Sequence, residues 1–329
     1  MIIPLSLVYY QEHRTFKINS YRAFLKIRYN LDGKYIITKD LDFKYKDTKS
    51  KDLCDKKTIF DGELNGNNHV IKNIGEPLLS CLGKNAKVEN LKLTSVEIDK
   101  NGENLGALAY FNHGSIKNVY DEGRVEGQIN VGGIVGFNTG FIEHTVFKGT
   151  VRGIKNIGGI VGFNMLGVIN QARVTGKIEG EIYVGGLAGQ LNTTTTYLFM
   201  NNLLEVNVYG VAQVGGVTGS SGVFIKNNII VGEISGYKFV GILCASSNCL
   251  SQNNLFLGCI IGYDQDYYKP VYVINDDVFH NIIPEEYHNN LITETEISNP
   301  DWYINVLDLD PEIWDLETIK QKGYPTLKK

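Results

Sequence analysis

Three observations predict an all-β fold built as a parallel β-helix, a solenoid of single coils with a short N-terminal capping helix and an irregular, partly helical C-terminal cap. The first is a recurring phrase. VGGIVGFNTG at 131–140 returns as IGGIVGFNMLG at 157–167, VGGLAGQLN at 184–192 and VGGVTGSSG at 214–222, with fainter copies LGALAYFNHG at 105–114 and VGILCASSN at 240–248. The second is the period. Copies begin at 105, 131, 157, 184, 214 and 240, steps of 26, 26, 27, 30 and 26 residues, the range of solenoids and arrays. The third is the pattern inside each unit, where short Val, Ile, Leu and Phe runs are broken by glycine or asparagine about every five residues, without the three-and-four spacing of a helix. Three short strands and three turns fill one coil.

The units align column by column. The asparagine ending IKN at 116–118 sets a column of Asn118, His144, Asn170, Asn201, Asn227 and Asn253, with Asn73 and Asn90 beginning it. Coils stack ~4.8 Å apart, so like side chains meet. Stacked asparagines are expected to pass amide hydrogen bonds along the column and to accept the left-handed backbone of a corner; His144 reads as a structural stand-in. Five positions on stand Gly123, Gly149, Gly232 and Gly258, and nine on stand Gly127, Gly153, Gly236 and Gly262, with Gly180 and Gly210 nearby or in register. Between them Val125, Val151, Ile178, Val208, Ile234 and Ile260 form an apolar stripe of branched side chains suited to packing on one another. Glu126, Arg152 and Glu179 share an outer column with alternating sign, so neighbours are expected to pair. The same glycines do not make a phosphate loop, which needs G-x-G-x-x-G between strand and helix, or G-K-[ST]. Here the spacing is G-G-x-x-G, with no lysine and no helical period after it.

A solenoid must cover its ends. Residues 20–29 read as a short amphipathic helix capped by Ser20, with Tyr21, Phe24, Leu25 and Ile27 plugging the first coil. Asn299-Pro300 starts a second helix carrying Trp302 and Ile304, and Trp314 is expected over the last coil. The organisation is thus an N-terminal arm and capping helix (1–30), the β-helix (31–266) and a C-terminal capping segment (267–329). Two stretches leave the repeat: NTTTTY at 192–197, read as a bulging loop, and 263–290, rich in tyrosine.

The 36 glycines against 7 prolines, with 43% apolar residues, fit an ordered glycine-rich chain, and the net charge of −4 implies no general affinity for nucleic acid. Residues 1–60 hold 13 Lys/Arg against 7 Asp/Glu while 263–329 hold 5 against 14, so the molecule should be basic at one end and acidic at the other. The cysteines (54, 81, 244, 249, 259) are odd in number and lack a C-x-x-C pair, which suggests neither a disulfide framework nor a zinc site. The opening MIIPLSLVYYQEHR is too short in its apolar run for a signal peptide. No later run approaches the ~20 residues of a membrane span, so the chain reads as soluble and without membrane insertion.

The remaining residues show no catalytic pattern. H-E-x-x-H and G-x-S-x-G do not occur, and the six histidines are scattered. Asp121 and Glu122 are adjacent and Asp61 and Glu63 lie two apart. Neither pair recurs on the next coil or shows a basic partner in its own column, so both read as solvated charges and not as the paired carboxylates of a glycosidase or a lyase site. No catalytic, cofactor or metal residue is expected.

The repeats resemble the GLUG-motif family, named for a short motif like VGGIVG and VGGLAG here. LDGKYIITKDLDF at 31–43 and FDGELNGNNHVIKNI at 60–74 resemble that family's entry segment, and IWDLETIKQKGYPTL at 313–327 its closing segment. The resemblance covers about residues 20–327. It implies a right-handed parallel β-helix, usual in bacterial surface or secreted proteins as an adhesin stalk or accessory module, including beside immunoglobulin-A-cleaving metalloproteases. No leader, anchor or catalytic domain is read in the sequence, so protease activity is not expected of it.

These readings favour a non-catalytic binding or adhesion module presenting a rigid face to a protein or glycan partner. A polysaccharide lyase or hydrolase acting in a groove, and an intracellular structural or inhibitory protein of phage or mobile-element origin, are the alternatives. Specificity should lie in the departures from repeat, at Asn192, Thr194, Thr196 and Tyr197, and at Tyr263, Tyr267, Tyr268 and Tyr272, whose rings could stack on sugars. The charge asymmetry would also allow self-association end to end or side by side.

Overall fold

A computed structural model describes residues 14–192, 198–220, 224–245, 249–262, 272–274 and 291–328. The chain forms a parallel β-solenoid of about 8 turns. Every strand pairing along the stack is parallel, and the stripe Val125–Val151–Ile178–Val208–Ile234–Ile260 is in register throughout. These residues are buried, the last being 7% exposed. Each contributes roughly 1.5–3 kcal/mol of burial, which fixes the register, since a one-residue slip would turn the stripe outward.

The glycine column has a steric cause. Gly123, Gly149 and Gly176 pair in register. Gly149 has φ +150°, and a Cβ there would approach the Gly123 carbonyl oxygen to 1.8 Å, a collision with backbone that no rotamer relieves. The VGGIVG phrase is likewise a corner between two faces. A Cβ on Gly136 would meet the Asn104 backbone at 1.8 Å.

Asparagine is used differently from the sequence expectation. Asn118, His144, Asn201, Asn227 and Asn253 do line one corner with φ between 50° and 56°, but the third coil supplies Gln171 (φ 52°), not Asn170. The column is mainly a conformational device. Asn118 Nδ2 donates to Asn90 Oδ1 at 3.0 Å, whereas Asn227 Nδ2 donates to the Asp308 carbonyl instead. Continuous amide ladders run elsewhere: Asn112–Asn138–Asn164 at 2.7 Å per step, Asn104–Asn130–Asn156 at 2.7 and 2.6 Å, and Asn202–Asn228–Asn254 at 2.8 and 2.9 Å. The first and last are buried, where each amide depends on its neighbour for its hydrogen bonds. The charge column also departs from expectation. Glu126 and Glu179 pair with Arg124 and Lys177 along their own strands and not with Arg152 across the stack.

At the start, strand Thr15–Ile18 already pairs with Lys34–Ile37, so the stack begins ahead of the helix. Ser20 caps helix Tyr21–Phe24 by accepting from the Ala23 N–H, and a 3-10 turn, Leu25–Tyr29, follows. Phe24 and Ile27 are buried, with Phe24 and Tyr21 edge-on to Phe43. Between Lys44 and Thr58 the chain leaves the stack as a strap. Thr48 and Ser50 donate to the Pro77 carbonyl, Ser80 Oγ accepts from the Lys51 N–H, and Asn104 donates to Asp52.

Two disulfides correct the cysteine reading: Cys54–Cys81, across the strap, and Cys244–Cys249. The first joins Cα atoms 5.2 Å apart and spans 27 residues, about one coil. The irregular strap lays Cys54 over the strand that carries Cys81, so no local spacing reveals the pair. Cys259 is free and exposed.

Within the C-terminal segment two side chains depart from expectation. Helix Pro300–Asn305 forms as expected, with the Asn299 side chain accepting from the Asp301 N–H. Trp302 is buried, but its apolar partner inward is Tyr303, while Ile304 is exposed. Trp314 does not lie over the last coil alone. Together with Tyr303, Leu307 and Leu309 it packs sideways on Leu203, Ile229 and Leu255, outward residues of three successive coils. No helix among the described residues is long and apolar enough to cross a membrane.

Candidate functional site: a lateral groove beside the C-terminal segment

One outward column explains both the docking of the segment and the groove next to it. Its members, in register, are Lys92, Tyr120, Val146, Arg173, Leu203, Ile229 and Leu255. The last three are apolar and lie under the C-terminal segment. The first four are uncovered and line a groove of about 840 Å³. The corner residues Asn90, Asn118, His144 and Gln171 run alongside them, and Ile313, Leu327 and Lys328 of the segment close one end. Lys92, Arg173 and Lys328 bring positive charge, the corner brings amides, and no carboxylate is in the lining among the described residues.

Glu205 holds the closing wall. Its carboxylate accepts from Arg173 Nε at 2.8 Å and Nη2 at 2.5 Å, from Thr175 Oγ1 at 3.1 Å, from Lys322 Nζ at 2.5 Å and from Tyr324 Oη at 2.9 Å. Burial by itself would raise this carboxyl, but the Lys322, Arg173 and Tyr324 contacts together outweigh it and hold the group below its ordinary range. The converse holds for Tyr324, pushed up to about 12 by burial and by Glu205. On the groove floor Tyr120 donates to Glu122 at 2.7 Å and is also pushed up to about 12, by burial first and then by Glu122.

The acidic pairs behave otherwise than expected. Glu122 and Glu63 do have basic partners in their own columns, Lys148 at 2.9 Å and Lys34 at 3.2 Å. Asp61 binds the Asn85 N–H and side-chain amide. Asp121 is not solvated at all: it is fully buried between Leu93 and Phe147 of the adjacent coils. Neither of its oxygens has a partner of good geometry, and burial raises its carboxyl well above the ordinary range despite the nearby Glu122 N–H. It lies in the solenoid's interior, away from the groove surface, and forms no acid–base pair there.

Of the residues singled out from sequence, Asn192 ends strand Ala188–Asn192 on the exposed surface beside Met165. Tyr272 opens strand Tyr272–Ile274, which continues the stack from Leu255. Thr194, Thr196, Tyr197, Tyr263, Tyr267 and Tyr268 lie outside the described residues. Asn192 is not among the groove's lining residues. The signal that would have found it is the apolar doublet. Leu203-Leu204, Ile229-Ile230 and Leu255-Phe256 are apolar on both faces of three successive coils, whereas on the groove side Tyr120-Asp121 and Arg173-Val174 mix polar and apolar and Val146-Phe147 is an isolated apolar doublet between them. Apolar doublets on three successive coils mark an outer face that another part of the chain covers, as the C-terminal segment does here. A separate cluster on the strap side, Cys54, Cys81 and His113, brings its ligand-capable atoms within 4.8 Å of one another.

The fold and groove define a solenoid module with a laterally docked C-terminal segment. Residues 6–123 match the family model described as the M26 IgA1-specific metallo-endopeptidase N-terminal region. No curated protein matches the chain. Among solved structures, a candidate immunoglobulin A1 protease from Bacteroides ovatus is similar in fold, with TM-score 0.60 and 16% identity over 96% of this chain and 92% of that one. A chain described as IgA1 protease is similar with TM-score 0.51 and 19% identity over 80% of this chain. The present chain spans 22% of that protein's length.

Proposed function

We propose that this chain is a non-catalytic binding module of GLUG-type coils, working in an oxidising, extracytoplasmic setting, that holds a protein partner by an extended acidic segment in the lateral groove. The observation that carries this reading is the groove itself, with Lys92 and Lys328, the Glu205-paired Arg173 and a row of amides along its length, and no carboxylate among the described residues of its lining. Such a surface attracts an anionic chain and hydrogen-bonds its backbone. The two disulfides fit an oxidising compartment. The similarity to the N-terminal region of immunoglobulin A1 proteases makes immunoglobulin A1 the first partner to test. Binding of the purified chain to immobilised immunoglobulin A1 should be measurable by surface plasmon resonance. Lys92→Glu, at an exposed groove position, should weaken it about 5–10-fold, largely through the on-rate. Equal binding by the variant, or binding to a glycan panel and not to protein, would overturn the reading.

A further inference from the structure

We propose that Cys54, Cys81 and His113 form a second site: when the disulfide is reduced, the three side chains bind one Zn²⁺, so that disulfide and metal are exclusive ways of clamping the same strap. The geometry comes from three elements. Cys54 lies exposed on the strap, Cys81 is buried in strand Leu79–Leu82, and His113 follows strand Ala109–Asn112 on the next coil. Cys81 and Phe111 are in register, which brings His113, two residues on, beside the cysteine pair.

The distances suit the metal. With Zn–S of ~2.3 Å and Zn–N of ~2.0–2.1 Å, tetrahedral ligation puts sulfur and nitrogen about 3.6 Å apart. Cys54 Sγ and His113 Nε2 are 3.5 Å apart. The two sulfurs must separate to roughly 3.8 Å for the same geometry, a movement open to Cys54 on its exposed strap. The histidine is already oriented. Its Nδ1 is hydrogen-bonded to Thr139 Oγ1 at 2.6 Å, so with the proton on Nδ1 the Nε2 lone pair faces the sulfurs, the arrangement by which protein groups outside the ligand set fix a metal-binding imidazole.

The chemistry balances in two steps. A dithiol reductant delivers two electrons and two protons to the Cys54–Cys81 bond, giving two thiols and its own disulfide. Zn²⁺ then displaces both thiol protons and accepts the neutral imidazole, with water in the fourth position on the exposed side. Three protein ligands and one open position make an exchangeable site, unlike a closed four-ligand one. In an oxidising compartment the disulfide holds the strap. In a reducing one, such as the site of synthesis, the metal would hold it.

The test uses the full chain carrying C244S, C249S and C259S, reduced and handled without oxygen, in a zinc titration against a chromophoric chelator. One equivalent should bind, and the oxidised protein should bind none. Cys54→Ser should abolish tight binding, His113→Ala should weaken it at least 10-fold, and Thr139→Ala should weaken it ~10-fold through the imidazole. Trypsin supplies a second readout. Cleavage at Lys51, Lys56 and Lys57 of the strap should slow on adding zinc to the reduced chain, and not in His113→Ala. The proposal fails if the reduced chain binds no stoichiometric zinc, or if His113→Ala binds as tightly as its parent. His113 is only half-buried, so this second outcome stays readable even if Cys54→Ser folds poorly.

Discussion

Asp121 stands in a column whose other members are Leu93, Phe147, Val174, Leu204, Ile230 and Phe256. Its carboxyl is raised by burial, so the folded chain holds the proton more tightly than the unfolded one. The sign follows. Stability is highest below the ordinary aspartate range near ~3.9 and falls as pH rises from there toward the raised value, because only the unfolded state gains by ionising. Asp121→Leu should therefore stabilise the chain at neutral pH by about 1–3 kcal/mol. The gap between variant and parent should narrow as pH is lowered toward 4. Urea midpoints at the two pH values check this, and a destabilised variant would show that the carboxyl has a partner the structure lacks. From sequence, Asp121 beside Glu122 looks like a surface pair. Only the period-two alternation against Val119 and Val125 marks it as inward, and a carboxylate in an otherwise apolar column runs against the pattern that identifies such a column.

At the scale of elements, the C-terminal segment is attached by an apolar seat and one ionic hub. The chain's 2 tryptophans, Trp302 and Trp314, both lie in this segment and both are buried, so their emission reports its docking. The Glu205 carboxyl is held below its ordinary range by its partners. Its contribution is therefore present above the unfolded value of ~4.3 and is lost as pH falls through the depressed folded value. Tryptophan emission of the parent should shift red on acidification below that point. Glu205→Gln, which loses on the order of 3 kcal/mol from the docked state, should be shifted already at neutral pH. An unchanged spectrum in the variant would mean that the seat of Leu203, Ile229 and Leu255 suffices alone. The coils were legible in the sequence because a 26-residue period superposes like on like, and Val125 to Ile260 fell into one stripe without exception. The docking was not, because Glu205 meets Lys322 across 117 residues with no repeat linking them. The strap failed to read for the same reason, and with it Cys54–Cys81. The one-residue displacement from Asn170 to Gln171 shows the limit of column reading where a coil has 27 residues, since the extra residue can fall on either side of the corner.

For the whole molecule, the groove belongs to neither part alone, because solenoid coils supply its floor and the docked segment its end wall. The acidic C-terminal stretch thus folds along a flank. Glu294, Glu296, Asp301, Asp308 and Glu312 are exposed there, with Asp308 ion-paired to Lys226 at 3.0 Å. An acidic partner segment in the groove would be kept from sliding over this flank by like charge, and drawn toward the uncovered coils with Lys92. Undocking should then remove the wall and the boundary together. Glu205→Ala, a residue outside the groove lining, is expected to weaken partner binding at least as much as Lys92→Glu and to act mainly by faster dissociation, because Ile313, Leu327 and Lys328 no longer close the site. Arg152→Ala provides the control. It alters a shallow site on another face, beside Glu179 and Tyr209, and should leave both rates unchanged. Equal rates for Glu205→Ala and the parent, with tryptophan emission showing the segment released, would place the partner elsewhere on the solenoid.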